Sequence, residues 1–91
     1  MTTQTTTPNA ASATQLADNL KAAAVRRDKA ANALLVRGLA TIRPYGLEIH
    51  DAHHRLADEY RAAYSDFSWA LHYASEAGVA RELSGGSFQL L

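Results

Sequence analysis

The stretch Ile42-Arg43-Pro44-Tyr45-Gly46-Leu47 decides how this 91-residue chain is read. Pro44 fixes its own φ, lacks an N–H and pushes Arg43 toward extended backbone. Gly46 then lets the chain reverse. Upstream, residues 13–43 are dominated by Ala, Leu, Arg and Lys, all strong helix formers, with Gly38 as the only glycine. The pattern Ser12-Ala13-Thr14-Gln15 has the spacing of a capping box, and Asp18 suits the positive end of a helix. Downstream, Leu56, Tyr60, Ala63, Phe67, Ala70, Ala74 and Ala77 follow one another in alternating steps of four and three, the seam of a coiled coil.

These signals predict an all-α fold, an antiparallel helical hairpin with one helix over 13–43, a turn over 43–46 and a second helix over 47–83. Residues 1–12, rich in Thr and Asn with Pro8, read as a flexible leader. Ser84-Gly85-Gly86-Ser87 reads as a helix stop, leaving 84–91 as a flexible tail tipped by Phe88, Leu90 and Leu91.

Charge supports the fold-back. Residues 14–43 carry six Lys or Arg against two Asp, and residues 44–83 carry seven Asp or Glu against three Arg, so halves of +4 and −4 face one another. Two rods touch along a line and leave much of their apolar stripes uncovered, so the core is expected to be completed by another chain. The simplest solution is a homodimer forming a four-helix bundle, self-associating through Leu56, Tyr60, Ala63, Phe67, Ala70 and Ala74.

The totals narrow the function classes. The formal net charge is zero, which gives no overall pull toward nucleic acid or an anionic membrane. Lys21, Arg26, Arg27 and Lys29 do not share one helical face, and charge complementarity within the hairpin is their expected use. No apolar run approaches the roughly 20 residues that cross a bilayer. There is no cysteine, hence no disulfide framework and no thiolate chemistry. The start has no charged and apolar pattern of a secretory signal, and a cytoplasmic location is expected. Ser65, Ser68 and Ser75 sit in helix without a strained turn or an oxyanion hole, and no glycine-rich loop precedes a helix, so no enzyme and no cofactor are expected.

Two groups of residues invite a binding role. His50 and His54, with Asp58 one turn on, would share a helical face and offer three ligands of the kind zinc takes. Polar residues at a helix start explain the same pattern without a metal. Trp69, with His72 and Tyr73 one turn further and Tyr64 nearby, falls off the seam, and exposed aromatics of this kind anchor protein interfaces. The expectation is a small non-enzymatic interaction protein (inhibitor, adaptor or minor assembly component, of a size that suits a phage product) that contacts a protein partner through Tyr64, Trp69, His72 and Tyr73 and the tail residues Phe88, Leu90 and Leu91.

Pro44-Tyr45-Gly46 at the midpoint of a cysteine-free chain of this length resembles the WXG family of type VII secretion substrates, which are helical hairpins with a Trp-x-Gly turn. The resemblance implies a secreted hairpin acting with a paired partner. The chain departs from the family in having Pro44 where the Trp stands and Ala77 where the C-terminal acidic residue after Tyr73 would stand. Asp51-x-x-His54 is the nearest approach to the Glu-x-x-His of two-helix ferritin-like proteins, and the first helix has no Glu to complete a di-iron site.

Overall fold

The computed structural model describes residues 12–91 and shows a mixed α/β fold rather than the all-α hairpin. Helix α1 (Ala13–Val36) is followed by an antiparallel hairpin of β1 (Ala40–Arg43) and β2 (Gly46–Ile49). Helix α2 (Arg55–Glu76) is followed by a second antiparallel hairpin of β3 (Ala80–Glu82) and β4 (Phe88–Leu90), joined by a 3₁₀ turn at Ser84–Gly86. Neither long helix therefore runs the length that the sequence predicts, and the tail 84–91 is half of a hairpin. Of the leader, only Ser12 falls within the described residues, and its hydroxyl accepts from the Gln15 N–H to cap α1.

Glycine stops both helices. At the end of α1 the Gly38 N–H donates to Leu35 O (3.1 Å) and the Leu39 N–H to Leu34 O (2.9 Å). At the end of α2 the Gly78 N–H donates to Ser75 O (3.1 Å) and the Val79 N–H to Ala74 O (2.9 Å). This is the Schellman pattern, which needs a left-handed residue, and the φ angles are +70° at Gly38 and +74° at Gly78. Beyond each glycine the chain enters a short strand, where Thr41 and Ile42 suit extended backbone. Pro44 and Tyr45 form the tip of the first hairpin, with Arg43 paired opposite Gly46.

The two halves are copies of one plan. Leu16-Ala17-Asp18 recurs as Leu56-Ala57-Asp58, Ala22-Ala23 as Ala62-Ala63, Ala30 as Ala70, Gly38 as Gly78 and Ala40 as Ala80, each forty residues on. The equivalent pairs Leu16 and Leu56, and Ala40 and Ala80, are all buried. The halves pack antiparallel about a pseudo-twofold axis, with Leu20 near the start of α1 clustered with Leu71 and Ala74 near the end of α2, and Leu34 clustered with Leu56.

Both hairpins lie on the same face of the helix pair. The first places Leu47 and Ile49 over Leu34 and Leu56, and the second places Phe88 over Phe67 and Leu71. The cover that the sequence assigns to a second chain is thus supplied on one face by the two hairpins of this chain. Phe67, Leu20 and Leu34 are the largest fully buried side chains. Burying such side chains is worth about 1.5–3 kcal/mol each. Charge plays a smaller part than the sequence suggests. Most cations pair locally, as Lys21 with Asp18, Arg55 with Glu59 and Arg61 with Asp58, and Arg26–Asp66 is the one ion pair joining α1 to α2 among the described residues.

Candidate interaction surfaces

The helix pair has a second face, opposite the hairpins, where no element covers it among the described residues. A shallow groove runs between the helices there, floored by Ala22, Ala30, Ala33 and Ala63 and flanked by Val25, Arg26, Lys29 and Glu59. Asp66, Trp69 and Tyr73 continue this stripe along α2 at the spacing of successive turns. Trp69 is 58% exposed and Tyr73 40% exposed. Their rings stack with centroids 5.8 Å apart at 27°, and His72 meets the Trp69 ring edge-on at 5.8 Å. The stack orders a large apolar surface before any partner arrives.

Tyr64 is not part of that cluster. It stands on the hairpin side, 5.9 Å from Tyr60 and 6.3 Å from Phe67, in an aromatic row that continues to Phe88 at 5.9 Å from Phe67. Burial, reinforced by the neighbouring Tyr64, raises the Tyr60 phenol above its ordinary pKa, against a smaller lowering by Arg27. Phe88 is half-buried in the core, whereas Leu90 and Leu91 remain exposed. The tail thus divides into one residue used internally and two displayed.

The predicted self-association seam faces inward. Leu56, Ala63, Phe67 and Ala74 are buried and Tyr60 and Ala70 half-buried, packed against α1 and the hairpins of the same chain. The histidines are separated by the new fold. His50 follows β2 instead of sitting in a helix, and its Nε2 is 2.8 Å from the Thr41 hydroxyl. His54 caps α2, its Nδ1 accepting from the Leu56 N–H at 3.0 Å. Asp58 is engaged by Arg61. Among the described residues no cluster of three or more His, Asp or Glu side chains is placed to hold a metal ion, and no helix is long and apolar enough to cross a membrane.

A cleft that the sequence does not announce lies between the hairpin tips. Tyr60 and Tyr64 of α2 form its floor, and the first hairpin tip, with Tyr45 80% exposed, forms a wall. Arg27 closes the far side, its guanidinium 4.0 Å from the Phe67 ring centroid and bonded to Gly86 O at 3.0 Å. These residues are scattered over four elements, and only the forty-residue repeat, visible in the doubled Leu-Ala-Asp, would have placed them near one axis. The chain matches no protein-family model, no curated protein and no solved structure.

Proposed function

We propose that this protein is a small, non-enzymatic, cytoplasmic interaction module that works as a homodimer, joined through the open helical face and displaying its hairpin layers outward as an adaptor would. The exposed Trp69–Tyr73 stack carries the reading. An ordered aromatic pair beside an alanine-floored groove is the composition of an interface core.

The charges of this face favour a second copy as its occupant. The groove has Arg26 and Lys29 on the α1 side and Glu59 on the α2 side, with Asp66 two turns further along α2. A twofold axis parallel to the helices lays α1 of one copy over α2 of the other, so unlike charges meet. An axis across the helices would stack α1 on α1 and oppose like charges. The area suffices as well. Two helices about 33 Å long and about 20 Å across offer roughly 650 Å² per copy, about 1,300 Å² in total, within the range of stable interfaces.

The test is the emission of Trp69, the only tryptophan. Dilution from high to nanomolar concentration should shift it to longer wavelength as the dimer parts, with the helical signal retained. An emission already at the fully exposed position at every concentration would remove the proposal.

A further inference from the structure

The cleft between the hairpin tips lies on the other side of the molecule and has a chemistry of its own. It comprises two depressions of about 370 and 560 Å³ that share the rings of Tyr45, Tyr60 and Tyr64 together with Gly46 and Leu47. Arg61 borders one depression and Arg27 the other. Tyr45 stands between them at the tip of a hairpin whose backbone is restrained by Pro44. The walls are therefore aromatic, and Tyr60 and Tyr64 are carried by the rigid backbone of α2.

The cleft offers several hydrogen-bond donors. The hydroxyls of the three tyrosines make no hydrogen bond to other described residues, and each can donate one. The arginines at the rim are charge-balanced by carboxylates of their own, Arg27 by Asp28, Arg43 by Glu48 and Arg61 by Asp58. An anionic ligand would meet these carboxylates beside the guanidiniums, so phosphate or an acidic peptide gains little net attraction here. What fits is an uncharged ligand with flat or ring-shaped apolar groups, several acceptors and few donors. A proline-rich segment has that description. It lacks N–H groups at its prolines, points solvated carbonyls outward, offers pyrrolidine rings to aromatic faces and is already stiff in the polyproline II conformation, so little entropy is lost on docking. Repeating rings one turn apart, about 9 Å, provide two anchors for two adjacent depressions.

We infer that the cleft formed by Tyr45, Tyr60, Tyr64, Leu47, Arg27 and Arg61 is a docking site for a proline-rich peptide in the polyproline II conformation. The site does not depend on the dimer, because all of its residues come from one chain and face away from the open helical surface.

The experiment is an NMR titration of the full ¹⁵N-labelled chain with a blocked decaproline peptide, beside a glycine–serine peptide of the same length. Saturable shifts are expected at the amides of Tyr45, Gly46, Leu47, Tyr64 and Gly86, with none at Trp69 and little change on adding salt. Y45A and Y64A should each weaken binding by about tenfold or more, and Y45F by a few-fold through loss of the hydroxyl donor. Tyr45 is so exposed that its substitution leaves the fold intact, which the unchanged remaining spectrum would verify. No shift at millimolar decaproline, equal shifts with the glycine–serine peptide, or saturable shifts that persist undiminished in Y45A and Y64A would overturn the assignment.

Discussion

The guanidinium of Arg27 lies 4.0 Å from the centre of the Phe67 ring, and the two residues hold the same position in the two halves of the chain. Arg26 and Asp66, one residue earlier in each half, also hold equivalent positions and also pair with each other. The pseudo-twofold axis thus passes through two contacts between equivalent residues of unlike chemistry. On the hairpin side one is a cation and the other an aromatic ring. On the open side one is a cation and the other an anion. Identical residues facing one another at these places would repel or merely pack, whereas these unlike pairs join the halves by attraction.

Arg27 should therefore matter to the second hairpin more than to the first. It combines a stacked cation, worth about 0.5–2 kcal/mol, with a charged hydrogen bond to Gly86 O, worth about 1.5–3 kcal/mol. R27A is expected to lower stability by about 2 kcal/mol in urea melts. Amide exchange should quicken at Ala80–Leu90 while Ala40–Ile49 changes little.

Gly38 and Gly78 offer a test of sign. A Cβ added at either position meets nothing within 4 Å, so the only cost is the left-handed backbone. G38A and G78A should each destabilise by about 1 kcal/mol. Were the chain helical through these positions, the same substitutions would stabilise it by about 1 kcal/mol. Equilibrium denaturation distinguishes the two by direction alone.

The start of α1 and the inward face of α2 were legible, whereas the start of α2 and the ends of both helices were not. Ser12 and the capping-box spacing located the start of α1, and the four-three steps from Leu56 located the inward face of α2. The alanine-rich composition carried helix propensity straight through Gly38 and Gly78, because a single glycine in a helical run costs only about 1 kcal/mol in propensity and does not by itself signal a stop. The tertiary reason for stopping is the uncovered apolar face, which Leu47, Ile49 and Phe88 cover once the chain leaves the helix. His50 illustrates the consequence for sites. Its spacing from His54 has meaning only on a helix, and the hairpin removes it from one. Trp69, His72 and Tyr73 were grouped from sequence because they do lie on one helix, whereas Tyr45, Tyr60 and Arg27 come together only through the fold.

Core truncation should separate residues that the sequence treats alike. L20A removes a fully buried side chain shared by both halves and is expected to cost about 3 kcal/mol. V36A, on the exposed edge of the same helix, should change stability by less than about 0.5 kcal/mol. Thermal melts of the two variants provide the comparison.

High pH should weaken the fold through Tyr60. Its phenol is raised by burial, so the folded state holds the proton where the unfolded chain has begun to lose it. The contribution is complete below the ordinary phenol value near 10 and is lost as pH rises through the higher folded value. In a spectrophotometric titration, Y60F should delete a phenol that ionises above the ordinary tyrosine value.

The most direct measurement is sedimentation equilibrium of the full chain beside W69A. The native chain is expected to sediment as a dimer at micromolar concentration, and the variant as a folded monomer with its helical spectrum retained. A native chain that sediments as a monomer across that range, with Trp69 and Tyr73 left open to water, would contradict the proposed dimer.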